Sequence, residues 1–167
     1  MKAIYLIGFM GSGKTTVGRA LAKRLQLPVI DTDEEITKFT GKTISEIFKV
    51  EGESHFRILE AEMVRRLPVV NSIITTGGGI ILREENRKWM KENGEVVFLY
   101  ASPEETLQRL EGDQTRPLLL ENKKASITNM IKERLPLYLE ATNIKIDTTG
   151  KSINVIVQEI EQRLKIE

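Results

Sequence analysis

The sequence predicts a three-layer α/β fold, with helices on both faces of a five-stranded parallel sheet. Five short runs rich in branched apolar residues have the composition of buried parallel strands, and they are 3–7, 28–30, 69–75, 95–100 and 143–146. The segments between these runs are long enough for helices. Strands that alternate with helices favour a doubly wound sheet, whose ligands bind at the carboxyl ends of the strands. We therefore expect the functional site at that edge.

Helix signals lie between the predicted strands. Residues 17–25 carry apolar side chains at helical spacing. Two capping boxes, Thr32 with Glu35 and Thr43 with Glu46, predict two helix starts after the second strand. After the fourth strand, Ser102-Pro103-Glu104-Glu105 combines an N-cap serine, a first-turn proline and early acids. These signals support the alternation of helices with strands.

Two stretches interrupt the alternation. A long helical insert runs over residues 32–67, and a polar segment at 111–125 includes Gly-Asp-Gln-Thr-Arg-Pro. An insert and a loop beside a ligand site suggest a substrate pocket, at about 32–62, and a lid. The sequence shows no internal repeat or linker, so we expect one domain over residues 1–167.

Composition excludes several classes of function. The 25 basic and 24 acidic residues give a net charge of +1, which provides no broad basic field for nucleic acid or an anionic membrane. No apolar run has the length of a membrane helix, and no export signal is visible. The absence of cysteine excludes disulfides and thiolate metal sites, and it is compatible with a cytoplasmic location. We expect any bound anion to be held locally.

The glycine-rich stretch after the first strand is the most specific motif. Residues 8–15 read Gly-Phe-Met-Gly-Ser-Gly-Lys-Thr and match the P-loop pattern between a predicted strand and a predicted helix. Glycines let backbone N–H groups converge on phosphate oxygens, the lysine reaches the β- and γ-phosphates, and the threonine can ligate Mg²⁺. The alternative is a merely tight turn. We expect ATP-binding residues at Gly11, Ser12, Gly13, Lys14, Thr15 and Thr16.

Two carboxylates close the second predicted strand. Alternation along a strand would send the side chains of Asp31 and Asp33 the same way, toward the mouth of the sheet. One could hold Mg²⁺ through water and the other an acceptor hydroxyl. The alternative is that both acids only cap a helix N-terminus. Beside a P-loop, the functional interpretation is favoured.

Further charged residues and glycines follow at the same expected edge. Arg57 and Glu60 lie three residues apart on a predicted helix, where the acid can orient the guanidinium, although such pairs are more often solvated. Three glycines at 77–79 follow the third strand and permit close approach by a ligand, but a tight turn would also favour glycine. Arg116 in the expected lid and Arg134 beyond it could bring positive charge inward. The single histidine, His55, is more consistent with a structural or surface role.

Taken in order, these motifs resemble the shikimate kinase family over residues 1 to about 149. The resemblance rests on the P-loop, Asp31-x-Asp33, Gly52-Glu-x-x-Phe-Arg57-x-x-Glu60, the glycines at 77–79, Arg116-Pro-Leu-Leu and Arg134-x-x-x-Tyr138. It implies the P-loop kinase fold with strand order 2-3-1-4-5, a substrate-binding helical insert and a lid. It also implies transfer of the γ-phosphoryl group of ATP to the 3-hydroxyl of shikimate, in aromatic amino acid biosynthesis, by a monomer.

The resemblance also implies roles for individual residues. Lys14 and Arg116 would contact the transferring phosphoryl group, Thr15 and Asp31 would hold Mg²⁺, and Asp33 would position the attacking hydroxyl. The substrate carboxylate would be held by Arg57 and Arg134, with Glu60 orienting Arg57 and the backbone of Gly78 and Gly79 completing the pocket. Arg109 and Lys151 resemble adenine contacts, although the last segment matches the family least well.

Two other functions compete with this one. Another small-metabolite or nucleoside-monophosphate kinase of the same fold would keep the P-loop and change the acceptor site. A nucleotide switch of another class is suggested by Asp147-Thr-Thr-Gly150 and Asn122-Lys123. These two pieces stand in the reverse of the order that such switches need, and Ala125 stands where the guanine motif has an acid. We therefore favour the kinase.

Overall fold

The computed structural model describes residues 1–111 and 124–166 and contains one five-stranded parallel sheet. Its strands are β1 (Ala3–Ile7), β2 (Val29–Asp31), β3 (Ile73–Thr75), β4 (Gly94–Tyr100) and β5 (Ile144–Asp147). They lie in the order β2-β3-β1-β4-β5, and every neighbouring pair is parallel. This confirms the predicted fold class and strand order.

Helices cover both faces of the sheet. Those in the described residues are α1 (Lys14–Leu25), α2 (Thr32–Thr40), α3 (Ile44–Val50), α4 (Glu53–Arg66), α5 (Glu84–Asn93), α6 (Pro103–Glu111), α7 (Lys124–Ala141) and α8 (Ile153–Leu164). A short 3₁₀ turn lies at Ile80–Leu82. Within the described ranges, none of these helices has the length and apolar character required to cross a bilayer.

The central strand β1 shows how the two faces form. All five of its side chains are buried. Ala3, Tyr5 and Ile7 pack into the core that includes residues of α4, α5 and α7, whereas Ile4 and Leu6 pack into the core that includes residues of α1 and α8. This alternation is the period of two expected of a strand that is covered on both sides. The P-loop follows this strand without interruption.

The third strand is shorter than the sequence predicts. Residues 69–75 were expected to be extended in one strand, but β3 contains only its last three residues. Asn71 adopts a left-handed backbone conformation with φ 49°, and it exchanges hydrogen bonds with Met1. Val70 makes only an isolated antiparallel bridge to Lys2. The apolar run in the sequence therefore covers a turn as well as a strand, and hydrophobicity alone does not distinguish the two.

The insert between β2 and β3 consists of three helices, α2, α3 and α4. The capping box at Thr43 and Glu46 is confirmed, with both of its hydrogen bonds present. The predicted box at Thr32 is wrong, because Asp31 is the N-cap of α2 and Thr32 is the first helical residue. The buried Thr32 hydroxyl instead accepts a hydrogen bond from the Gly77 N–H at 3.2 Å. The predicted lid falls mostly outside the described residues.

Candidate active site

The phosphate loop joins β1 to α1. Gly11 and Gly13 have φ values of 75° and 90°, in the left-handed region that residues with a Cβ rarely adopt. Gly13 is the N-cap of α1, and no side chain in the described chain caps this helix start. The backbone N–H groups of the first turn, with the helix dipole, therefore face a common region suited to phosphate oxygens.

Lys14 lies folded over this loop. Its Nζ donates hydrogen bonds to the carbonyl oxygens of Gly8 at 2.6 Å and Phe9 at 3.0 Å. The ammonium group is thus held against the backbone of the loop. Its predicted contact with the β- and γ-phosphates stays a prediction.

A cavity of about 770 Å³ opens at the carboxyl ends of the strands, where the sequence predicts the site. It extends from the phosphate loop to the helical insert. The predicted site residues that line it are Gly11, Gly13, Lys14, Thr15, Thr16, Asp31, Asp33, Arg57, Glu60, Gly78, Gly79, Arg109 and Arg134. The residues predicted to bind phosphate and those predicted to bind the acceptor therefore line the same cavity.

Two predicted site residues that the structure describes do not line this cavity, and a third cannot be compared with it. Ser12 is buried beneath the loop, and its hydroxyl has no hydrogen-bond partner in the described chain. Lys151 donates to Glu159 of α8 at 2.7 Å and does not line the cavity. Arg116 lies outside the described residues. The roles assigned to these three stay predictions, as do the roles assigned to the residues that line the cavity.

The two acids after β2 reach the cavity by a different geometry from the expected one. Asp31 ends the strand, and its Oδ1 accepts hydrogen bonds from the N–H groups of Asp33 and Glu34. Asp33 lies in the first turn of α2, so strand alternation does not orient it. Both carboxylates nevertheless line the cavity. The capping interpretation is therefore correct for Asp31, and it coexists with a position facing the phosphate loop.

Arg57 and Glu60 form a buried pair rather than a solvated one. Arg57 Nη1 donates to Glu60 Oε1 at 2.9 Å, and the two side chains are 15% and 1% exposed. Burial raises the pKa of Glu60 from its ordinary value to about 7, although the Arg57 guanidinium opposes the rise. Arg57 also contacts Glu53 at 3.3 Å on the exposed rim. The helical spacing of three is thus used for orientation inside the site.

The glycines after β3 pack closely against the acceptor side. A Cβ at Gly79 would collide with the terminal nitrogens of Arg57, so the guanidinium keeps this position only beside a residue without a side chain. The carbonyl oxygen of Gly78 accepts a hydrogen bond from the buried Tyr138 hydroxyl at 2.5 Å. Burial raises the pKa of Tyr138 to about 12, so the hydroxyl remains a neutral donor. These contacts fix the backbone that faces the cavity.

Arg134 and Arg109 bring positive charge from two other helices. Arg134 on α7 lies over the Phe9 ring, 5.8 Å from its centroid, and lines the cavity. Arg109 on α6 donates to the Gly11 carbonyl at 3.1 Å and pairs with Glu105 at 3.3 Å. One arginine therefore lies on the acceptor side and the other at the phosphate loop.

Several cavity residues were not singled out from the sequence. Phe48 and Phe56 form an aromatic pair with ring centroids 4.9 Å apart, and both line the cavity with Ile44, Met10 and Met130. Their apolar character in helical segments is indistinguishable from core patterning. Thr75 was missed as well, although it supports Asp31. Its place at the end of the third predicted strand is the signal that the sequence offers, and its pairing with Asp31 is seen only in the structure.

A P-loop at the end of the central strand of this sheet, facing a cavity with acids and arginines, defines a small-molecule kinase that uses ATP. The family model for shikimate kinase matches residues 10–165. The chain belongs to the shikimate kinase family.

Individual relatives agree along the whole chain. Shikimate kinase of Bacillus cereus (strain AH187) is 52% identical over 164 residues, which are 98% of this chain and 99% of that protein. Shikimate kinase of Persephonella marina is 46% identical over 166 residues, covering 99% and 100% of the two chains.

Solved structures give the same result. Shikimate kinase from Acinetobacter baumannii, in complex with shikimate, has a TM-score of 0.91 and 40% identity, covering 99% of this chain and 93% of that chain. Shikimate kinase from Aquifex aeolicus has a TM-score of 0.87 and 39% identity, covering 98% and 96%.

Proposed function

We propose that this enzyme transfers the γ-phosphoryl group of ATP to the 3-hydroxyl of shikimate, giving shikimate 3-phosphate and ADP for aromatic amino acid biosynthesis. The observation that supports this most directly is the single cavity shared by the phosphate loop, Asp33 and two arginines, Arg57 and Arg134. A planar guanidinium binds a carboxylate through two parallel hydrogen bonds, which suits an acceptor that carries one.

On the nucleotide side, the loop binds the triphosphate through backbone N–H groups of residues 11–16. Lys14 exchanges its bonds to the Gly8 and Phe9 carbonyls for phosphate oxygens. Arg109 lies against Gly11 from outside the loop, and that position is compatible with stacking on the adenine. The adenine contact of Lys151 rests on the family resemblance alone.

The residues present also fit Mg²⁺. Thr15 and the Asp31 carboxylate offer hard oxygen ligands beside the loop, and Mg²⁺ in kinases takes few protein ligands because phosphates and water supply the rest. Thr15 would bind the ion directly and Asp31 through water. When bound, Mg²⁺ neutralises charge on the β- and γ-phosphates.

On the acceptor side, Asp33 accepts hydrogen bonds from the ring hydroxyls and positions the attacking one. Arg57 and Arg134 bind the carboxylate, with Glu60 holding Arg57 in place. The backbone of Gly78 and Gly79 forms the adjoining wall. The acceptor is therefore aligned for in-line attack, and positioning and charge stabilisation supply most of the catalysis.

Lys14 and Arg116 stabilise the charge that spreads over the γ-phosphoryl oxygens during transfer. The role of Arg116 comes from its match to the family motif, since it lies outside the described residues. Closure of a lid at about 111–125 would exclude water and so limit wasteful hydrolysis of ATP. A monomer in the cytoplasm is the state that the family resemblance implies.

A coupled assay of ADP release tests the proposal. ATP and Mg²⁺ are supplied with shikimate, gluconate or nucleoside monophosphates, and Lys14→Met serves as the inactive control, with kcat expected to fall about 100-fold or more. We expect ADP release when shikimate is the acceptor and not when gluconate or a nucleoside monophosphate is. Turnover with another acceptor would support kinase activity but contradict the assignment of shikimate as the acceptor. No turnover with any acceptor would favour a nucleotide-binding switch.

A further inference from the structure

The Glu60 carboxyl is an unusual group for a cavity that binds anions. Glu60 is fully buried, and only its Oε1 has a partner, the Arg57 Nη1 at 2.9 Å. Its Oε2 has no hydrogen-bond partner among the residues that the structure describes. A buried carboxylate with one unsatisfied oxygen is poorly stabilised, because water has been removed and only one donor replaces it.

Charged and titratable groups act on Glu60 from its own helix and from two helices beside it. Arg57 is on its own helix α4, with Glu53 beyond that guanidinium, Asp33 is on α2, and Arg134 and Tyr138 are on α7. Glu60 Oε2 and Asp33 Oδ1 lie 3.1 and 3.0 Å from the same point, the position that a Cβ on Gly77 would occupy. Two carboxylates and two arginines therefore share one corner of the cavity, in which Glu60 is buried and the other three are partly buried, and their charges balance.

We propose that Glu60 takes up a proton from solvent when the carboxylate of the acceptor binds to Arg57 and Arg134, so that acceptor binding is coupled to proton uptake. The inference rests on the proposed function, since it uses the two arginines as the carboxylate site. The proton is added to Oε2, and Oε1 continues to accept from Arg57.

The charge count gives the direction of the effect. With Glu60 ionised, the bound acceptor would place a third carboxylate among two arginines, beside a Glu60 side chain that is already shielded from water. Protonation of Glu60 restores the balance of two anions and two cations. The pKa of Glu60 is already raised to about 7 by burial, so only a modest further rise is needed for uptake near neutral pH. Neutral Glu60 can still orient Arg57, because a carboxylic acid retains an acceptor oxygen.

Titration calorimetry with shikimate tests the coupling on the intact enzyme. The experiment is run at pH 7.5 in Hepes and in Tris, two buffers with different ionisation enthalpies. We expect the binding heat to differ between them by an amount that corresponds to uptake of a fraction of one proton. We also expect the affinity to fall as pH rises above 7, by at most about tenfold per pH unit for one proton.

The Glu60→Gln variant separates this role from a structural one. Glutamine has nearly the same shape and an acceptor oxygen for Arg57, but it cannot titrate. We expect this variant to bind shikimate with the same heat in both buffers and with a flat pH profile. The matched control is Glu53→Gln, which alters the exposed partner of the same guanidinium and should leave proton uptake in place.

Binding of shikimate to the unaltered enzyme with equal heats in both buffers would overturn the inference and leave the proposed function intact. Proton uptake that persists in Glu60→Gln would overturn it too, since another group would then titrate. A complete lack of shikimate binding would overturn the proposed function and this inference with it.

Discussion

The Thr75 hydroxyl donates a hydrogen bond of 2.7 Å to Oδ2 of Asp31, its register partner across β2 and β3. The other oxygen of the same carboxylate caps α2 through the N–H groups of Asp33 and Glu34. Asp31 is therefore fixed by two strands and a helix before any ligand binds. A carboxylate held in this way is pre-organised for the metal-binding role that we propose.

Substitutions of Asp31 separate its capping role from its charge. Asparagine caps helices about as well as aspartate, whereas alanine loses about 1 kcal/mol. We expect Asp31→Asn to unfold with nearly the same free energy as the parent protein and Asp31→Ala to be less stable by about that amount. Both variants should need more Mg²⁺ for half-maximal activity. Denaturant unfolding and magnesium titration measure the two effects, and an unchanged magnesium requirement would contradict the metal role.

Arg57→Ala removes one arm of the proposed carboxylate site. Loss of one partner of a buried charge pair costs about 2–5 kcal/mol, so acceptor affinity should fall about 30-fold or more. ATP affinity should be nearly unchanged, because the phosphate loop keeps all its contacts. The matched control is Arg65→Ala, on the same helix but paired with Glu85 outside the cavity. Equal losses of both affinities in Arg57→Ala would argue against the assigned role.

Gly79→Ala tests the close packing beside Arg57. The added methyl group would collide with the guanidinium nitrogens, so the arginine must move. We expect the KM for the acceptor to rise with little change in the KM for ATP. Gly41→Ala is the control, because Gly41 has open space around it but a φ of 67°. That control should lose about 1 kcal/mol of stability and no acceptor affinity.

Tyr138→Phe removes the donor that holds the Gly78 carbonyl and keeps the stack on Phe98, whose ring centroid is 4.9 Å away. A part-buried carbonyl that loses its donor costs about 1 kcal/mol, because water can replace part of the lost bond. We expect lower stability together with a raised KM for the acceptor. Tyr100→Phe is a suitable control, because its hydroxyl makes no hydrogen bond within the described residues. Equal effects of the two substitutions on stability and on the KM for the acceptor would contradict the role given to the Gly78 contact.

Glu60 should also affect stability as a function of pH. Its pKa of about 7 in the folded state lies above its ordinary value of 4.5. Between these values the unfolded chain releases the proton while the folded protein keeps it, so the contribution of Glu60 to stability is lost as pH rises toward 7. We therefore expect the unfolding free energy of Glu60→Gln, relative to that of the parent protein, to rise by up to about 3 kcal/mol as pH increases from 4.5 to 7. Above pH 7 the difference between the two proteins should stay constant. Parallel pH series of unfolding free energies check this, and a constant difference below pH 7 as well would contradict it.

Local patterns predicted the fold and the phosphate loop well because both depend on short-range chemistry. The loop needs glycine at specified positions, and strand composition reports burial on both sides. The same logic was wrong about β3, because the turn at Asn71 lies inside an apolar run. It also gave the wrong reason for the direction of Asp33, which lies in the first turn of α2 and not on a strand, although its carboxylate lines the cavity as expected.

The sequence could not predict that the Arg57–Glu60 ion pair is buried. The spacing of Arg57 and Glu60 is the same in a surface pair and in a buried one, and only the packing of α2, α4 and α7 decides between them. The aromatic wall of Phe48 and Phe56 has the same difficulty, since a ligand-facing apolar residue and a core residue share one pattern. Tertiary contacts supply this information.

The position of β1 in the middle of the sheet has a consequence for synthesis on the ribosome. Its two neighbours come much later in the chain, since Ile4 pairs with Ile73 and Ala3 with Gly94. With all five side chains destined for the interior, β1 must therefore wait unpaired until β3 has been made, and its other edge stays open until β4 follows. The phosphate loop attached to it can gain its final shape only then, so nascent chains that end before β4 should not bind nucleotide.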